Sequence, residues 1–206
     1  MIKLIIFDLD GVLVDAKEIH YQALNKALSN IDKKYVINRE EHISKYDGNT
    51  SVTKLNLLSK EKGLPYELHD KIWEDKQNIT LQMIGDLDVD ERLVEVLKKL
   101  KEEGYILCCA TNSIRKSAKL QLIRRGFLEH LDFMYSNQDV VNPKPNTEIY
   151  LRCMIKAGVS PKETIILEDS ELGRKGARAT GSPVLEIKDS ADVTYVKIRK
   201  FIENVK

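Results

Sequence analysis

Cysteine is scarce in this sequence: three residues in 206, an odd number, with no Cys-x-x-Cys pair among them. Cys108 and Cys109 lie inside an apolar run, so packing thiols are expected there rather than ligands or disulfides. Net charge is nearly absent too. Lys and Arg number 33 and Asp and Glu 32, leaving +1 although 32% of residues are charged. Neither a polyanion-binding surface nor an acidic tail follows, and no nucleic-acid partner is expected. Lys98 to Lys101 sit on an amphipathic helical pattern and read as a solvated face. No apolar run approaches the roughly 18 residues needed to span a bilayer. The run from Ile2 to Phe7 stops at Asp8 and lacks the basic flank and cleavage site of a signal peptide, so a cytoplasmic protein is expected. Repeats and low-complexity segments are also missing. What is present is 42% apolar residues. That is enough for one good-sized domain or a core with a small insert.

The stretch FDLDGVLVD, residues 7–15, organises the rest. The short aliphatic run before it reads as a buried parallel strand. Side chains alternate along a strand, so Asp8 and Asp10 point the same way if the chain stays extended. Gly11 then permits a sharp turn. Two carboxylates thus stand at the carboxyl end of a strand, where open α/β sheets bind ligands. A calcium loop does not fit: counting from Asp8, the sixth position is Leu13 rather than Gly.

Residues 16–84 show helical patterns and no strand. Ile19, Ala23, Leu24, Ala27 and Leu28 recur at helical spacing. Asn38 caps a helix to about Tyr46. Ser51 to Lys62 carries Val52, Leu55 and Leu58 on one face and ends at Gly63. Pro65 to Met83 is a long amphipathic stretch containing Trp73, the only tryptophan. Residues 15–85 are therefore expected to form an all-helical insert into a core made of 1–14 and 86–206. Asp86, Asp88 and Asp90 imitate a metal loop, but the sixth and twelfth positions are Glu91 and Leu97. Asp90 instead reads as a helix cap. Thereafter helix and strand alternate: helix 91–103, strand 105–110, a helix capped by Ser113 and running to Arg125, and a short strand near 132–135. A helix capped by Asn146, strand 164–168, helix 171–180, strand 184–187 and a helix about 192–204 complete the chain. The alternation predicts an α/β fold, a parallel sheet with helices on both faces.

Polar residues stand where such a sheet would place a site: Thr111, Asn112 and Ser113 after one strand, Lys144 between two prolines, and Glu168, Asp169 and Ser170 after another. Asp8, Asp10, Glu168 and Asp169 together require a cation. An all-oxygen set without clustered His or Cys favours Mg²⁺ over Zn²⁺. With a metal and Lys144 present, a phosphate dianion can approach Asp8. Thr111 and the backbone N–H groups after Asp8 and Thr111 can hold its oxygens. Asp8 is a competent nucleophile toward phosphorus, and Asp10 can protonate the leaving oxygen and later activate water.

DLDGVLVD, ATNS, KPNTEIY and LEDS, in this order and spacing, resemble the four motifs of the haloacid dehalogenase superfamily, most of whose members are Mg²⁺-dependent phosphohydrolases with a Rossmann-like core. The helical insert is similar to the cap of the β-phosphoglucomutase-like subgroup. The resemblance implies Asp8 as nucleophile and Asp10 as acid/base. It implies Asp8, the Asp10 carbonyl and Asp169 as Mg²⁺ ligands, with Glu168 bound directly or through water. It implies Thr111, Asn112 and Lys144 as phosphoryl-binding groups. His20 falls where the mutases carry a histidine near the cap hinge, and Gly48 matches their cap-loop glycine. Asp10 argues against a dehalogenase, whose halide leaving group needs no proton. Ala16 replaces a usual hydroxyl residue, and Ser51 falls where a mutase arginine would grip a distal phosphate. Lys45 and Lys54, the lysines considered for a Schiff base, read as solvent-facing. The expectation is a monomeric phosphatase for a small phosphorylated metabolite, a sugar phosphate or nucleotide. A phosphosugar mutase, a phosphotransferase and a binding or regulatory protein are the alternatives.

Overall fold

The computed structural model describes residues 1–205. Strand β1 (Leu4–Phe7) leads into helix α1 (Lys17–Ser29), the short α2 (Arg39–Glu41), α3 (Ser51–Lys62) and α4 (His69–Gly85). The chain then alternates: α5 (Glu91–Glu102), β2 (Ile106–Ala110), α6 (Arg115–Arg124), β3 (Phe133–Tyr135), α7 (Glu148–Ala157), β4 (Thr164–Glu168), α8 (Glu171–Arg178), β5 (Val184–Glu186) and α9 (Tyr195–Asn204). The five strands are parallel, in the order β3-β2-β1-β4-β5. The order reverses between β1 and β4, so a crevice opens beyond their carboxyl ends.

Alternation along the strands sorts the core. Ile5, Phe7, Leu107, Cys109, Ile165 and Leu167 pack with Leu93, Leu97 and Leu100 of α5, Leu122 of α6 and Ile198 of α9. Leu4, Ile6, Cys108 and Ile166 face the other way, onto Ile149, Tyr150 and Met154 of α7 and Ala177 of α8. Each such aliphatic side chain contributes about 1.5–3 kcal/mol by leaving water. The helical insert is a cap with its own apolar cluster, including Leu24, Leu28, Tyr46, Leu55, Leu58 and Ile72.

Several local expectations shift. Asp90 does cap α5, its Oδ1 accepting from Leu93 N at 3.1 Å. The helix expected from Pro65 begins at His69, after a tight turn at Tyr66–Leu68. The helix expected from Asn146 begins at Glu148, with Asn146 Oδ1 accepting from Glu148 N at 2.9 Å. Ser113 does not cap α6. Ile114 occupies the cap position without a side-chain bond, and the Ser113 hydroxyl turns to Asp10. Val52 is 58% exposed, because it lies roughly 110° around α3 from the stripe formed by Lys54, Leu55 and Leu58.

Candidate active site

β1 and β4 run in register, Phe7 opposite Leu167, so Asp8 and Glu168 emerge side by side. Both continue the Leu4–Ile6 and Ile166 side of the sheet, which faces α7. Lys144 reaches in from the loop before α7. Its Nζ donates to Asp8 Oδ1 at 2.7 Å and also to Glu168 Oε1. The Tyr150 hydroxyl donates to Glu168 Oε1 at 2.6 Å. Asp8, Glu168 and Lys144 are all buried. Burial and then the Glu168 charge push the Asp8 carboxyl up, against the pull of Lys144. Burial disfavours the Lys144 ammonium, but Asp8 and Glu168 outweigh it and hold its pKa well above the usual value.

Asp10 has separate partners, because the chain does not stay extended. Past Asp8 it winds into a turn in which Leu9 O accepts from Val12, Leu13 and Val14 N at 3.3, 3.0 and 2.9 Å. The Asp10 carboxylate therefore points toward α1 and α6. Oδ1 accepts from His20 Nε2 at 3.0 Å and Gln121 Nε2 at 3.2 Å. Oδ2 accepts from Ser113 Oγ at 2.6 Å and Thr111 Oγ1 at 3.5 Å. Burial raises the Asp10 pKa, yet His20 and these hydrogen bonds prevail and hold it well below the carboxylate range. His20 itself is pushed down by burial, against Asp10. A neutral ring, with Nε2–H donating to Asp10 and Nδ1 accepting from Lys76 Nζ at 3.3 Å, satisfies both nitrogens. Asp10 then owes its ionised form to hydrogen bonds rather than to an imidazolium charge.

Asp8, Glu168 and Asp169 each offer an oxygen within 4.8 Å of the others. Glu168 Oε2 and Asp169 Oδ1 are buried without a hydrogen-bond partner. Hard, under-coordinated oxygens of this kind suit a divalent cation. The carboxylate of Asp10 lies outside this cluster, leaving its backbone carbonyl for the ligand role that the resemblance implies. Asp86, Asp88 and Asp90 form no such group among the described residues. Gly11 permits the approach: its φ is +100°, and a Cβ there would stand 2.1 Å from Asp169 Oδ2.

Beside Lys144, which holds Asp8 and Glu168, a second cation stands at this cluster. Lys17 Nζ of α1 lies 2.5 Å from Asp169 Oδ2 and 3.4 Å from Asp47 Oδ2 of the cap. Burial raises the Asp169 pKa to about 6, with the Asp8 charge adding and Lys17 opposing. A metal ion must displace this ammonium or share Asp169 with it. Lys17→Gln should therefore tighten divalent-cation binding about tenfold, read by calorimetry without substrate. Equal or weaker affinity would show that Lys17 does not compete.

With this geometry in view, the comparisons decide the family. The sequence profile described as "Haloacid dehalogenase-like hydrolase" matches residues 5–187. The chain belongs to this family. It is 24% identical over 177 residues to a phosphorylated carbohydrates phosphatase of Thermotoga maritima, covering 86% of this chain and 81% of that protein. It is 23% identical over 190 residues to the fructose-1-phosphate phosphatase YqaB of Escherichia coli, covering 89% and 95%. The crystal structure of a β-phosphoglucomutase from Clostridium difficile is similar in fold. Its TM-score is 0.86 at 20% identity, over 99% of this chain and 98% of that one.

The haloacid dehalogenase-like core and its cap enclose a cavity of about 340 Å³. Asp8, Asp10, His20, Gly48, Thr111, Asn112 and Lys144 all line it. Glu168 and Asp169 join through the acidic cluster. The side-chain amide of Asn112 is engaged with two loops. Its Nδ2 donates to Gly48 O at 3.0 Å and Lys144 O at 3.1 Å, and its Oδ1 accepts from Lys144 N at 3.0 Å. The side chain thus ties the cap loop to the lysine loop. The N–H groups of Leu9 and Asn112 have no acceptor among the described residues and remain free for an anion.

Sequence reasoning missed Lys17, Gln121 and Lys76, gave Ser113 the role of a helix cap, and read Lys54 as solvent-facing. Lys45 faces solvent, paired with Glu61 at 3.0 Å, as expected. Lys54 does not: it is 8% exposed and lines the cavity. Lys76 is 7% exposed and lines it as well. A signal existed. Lys54 and Leu58 are four apart on α3, and Ile72, Lys76, Thr80 and Ile84 recur every four residues on the buried face of α4. A lysine in an apolar stripe faces inward. No membrane-crossing helix is present among the described residues.

Proposed function

We propose that the protein is a Mg²⁺-dependent phosphohydrolase that cleaves a small phosphomonoester, a sugar phosphate or nucleotide, through a phosphoryl group carried on Asp8. The convergence of Asp8, Lys144, Glu168 and Asp169 at the ends of β1 and β4 carries this reading. Lys144 engages Asp8 Oδ1 and leaves Oδ2 to attack phosphorus. The Leu9 and Asn112 N–H groups and Lys144 hold the equatorial oxygens. When bound at the acidic cluster, Mg²⁺ offsets the carboxylate charge and that of the arriving phosphate.

Asp10 is placed for both proton transfers. As the phosphorus–oxygen bond to the leaving group breaks, Asp10 delivers the proton to that oxygen. Without ligand it is ionised, but a phosphate dianion beside it raises its pKa toward the form that carries the proton. In the second half-reaction the ionised Asp10 takes a proton from water. The water attacks phosphorus, and the bond to Asp8 breaks. His20, Ser113 and Gln121 fix the direction of the carboxylate. In this reading residues 1–14 and 86–206 are the catalytic core, and 15–85 close over the substrate of a single cytoplasmic chain. The phosphatases of phosphorylated carbohydrates among the relatives support a sugar phosphate.

A phosphosugar mutase is the second reading, favoured by the likeness to the β-phosphoglucomutase fold and by the buried cap lysines. The test is release of inorganic phosphate from a panel of phosphorylated metabolites, with Mg²⁺ and with EDTA. The phosphatase reading expects multiple-turnover release that EDTA abolishes. Isomerised sugar phosphate with no free phosphate would support the mutase, and release unaffected by EDTA would remove the metal from the mechanism.

A further inference from the structure

The cap loop at Asp47 and Gly48 is held to the core from two sides. On one side Asn112 Nδ2 donates to Gly48 O at 3.0 Å. Gly48 also lies so close to Ser170 that a Cβ on it would stand 3.3 Å from the Ser170 side chain. On the other side is Lys17, the first residue of α1. Its Nζ lies 2.5 Å from Asp169 Oδ2 of the core and 3.4 Å from Asp47 Oδ2 of the cap. One ammonium thus joins a core carboxylate to a cap carboxylate. Gly11 makes room for it: a Cβ there would stand 2.7 Å from Lys17 Cε as well as against Asp169.

The acidic cluster is already compensated by protein cations. Lys144 serves Asp8 and Glu168, and Lys17 serves Asp169. A buried carboxylate is costly unless a cation joins it, so Asp169 favours whichever arrangement supplies one. Without metal, that arrangement is the one that also brings Asp47 and its loop onto the core. A divalent cation on Asp169 would face the Lys17 ammonium across one carboxylate, and like charges repel. Metal loading and the Lys17 bridge are therefore alternatives at Asp169.

We propose that Lys17 is an internal stand-in for the metal that latches the cap onto the core in the metal-free protein. When Asp169 passes to a divalent cation, Lys17 withdraws with Asp47. The cap loop then keeps only the Asn112 bond and the Ser170 contact, and the cavity opens. Substrate accordingly enters after the metal and not before it. The coupling is reciprocal: whatever factor the latch costs the metal, the metal costs the latch. The gain in affinity expected above for Lys17→Gln therefore corresponds to an open-to-closed ratio about tenfold higher with Mg²⁺ than without. The proposal concerns the protein without substrate, so it holds or fails separately from the phosphohydrolase reading.

Trp73 provides the test. It is the only tryptophan and it lines the cavity between cap and core. Its emission and its quenching by acrylamide would be followed as Mg²⁺ is added to metal-free protein, with binding measured in parallel by calorimetry. Mg²⁺ should shift the wild-type emission to the red and increase quenching, saturating together with binding. Lys17→Gln should start in the open state, and Mg²⁺ should change it little. Asp47→Asn leaves Lys17 and Asp169 in place, yet it should also start open, because the cap end of the bridge is gone. Lys17 is 41% exposed and Asp47 25%, so both variants should fold, and either alone suffices. Mg²⁺ that saturates the wild type with quenching unchanged or reduced would overturn the proposal. So would folded variants that quench like the metal-free wild type, or Mg²⁺ that binds none of the three proteins. Tighter metal binding by Lys17→Gln without any change at Trp73 would leave Lys17 a competitor for Asp169 and remove the latch.

Discussion

Asp8→Asn should lower phosphate release by about 10⁴-fold or more, as loss of a nucleophile does. The substitution keeps the shape of the side chain and one oxygen that can still accept from Lys144. The fold should therefore persist, and the melting temperature should not fall. Burial and Glu168 already press against the Asp8 charge, so a neutral amide relieves repulsion in the protein without metal. Phosphate binding should survive, because Lys144 and the Leu9 and Asn112 N–H groups remain. Turnover within tenfold of wild type would rule out Asp8 as the attacking group.

Lys144→Met should have a double effect. The ammonium bridges Asp8 and Glu168 in a buried setting, so its loss strands two carboxylates. Removing one partner of a buried ion pair costs on the order of 3–5 kcal/mol. Loss of the charge facing the phosphoryl oxygens should lower turnover a further 10²–10³-fold. The stability loss has a definite pH sign. In the variant the Asp8 carboxyl, already raised by burial and the Glu168 charge, loses the opposing pull of Lys144, so its folded pKa lies further above its unfolded one and the folded state binds more protons. Stability therefore rises as pH falls, and the deficit relative to wild type narrows from pH 8 to pH 5. Thermal melts across that range measure it, and a deficit that widens toward acid would contradict the bridging role.

Much of this site was legible because its parts sit at strand ends. Asp8 follows an aliphatic run and so do Glu168 and Asp169, and parallel pairing of the two runs brings them together. Asp10 was legible as a residue but not as a geometry. A turn around the Leu9 carbonyl, rather than an extended chain, sends its carboxylate to α1 and α6. Ser113 has the character of a helix cap, yet a carboxylate 103 residues earlier in the chain takes its hydroxyl. Lys17 belongs to no pattern at all. It matters only because α1 starts beside the end of β4, a proximity made by tertiary packing. Lys54 and Lys76 lie between these cases. Their periodicity places them on buried stripes, but the usual preference of lysine for water points the other way, and cavity formation between cap and core decides the matter.

The most direct measurement is the chemical state of Asp8 during turnover. Wild-type protein would be mixed with Mg²⁺ and its best substrate, quenched in acid within milliseconds, and digested for mass spectrometry. A phosphoryl group on the peptide containing Asp8, formed and lost at rates compatible with turnover and missing from Asp8→Asn, is the predicted result. Full turnover with that peptide unmodified at every quench time would contradict the account.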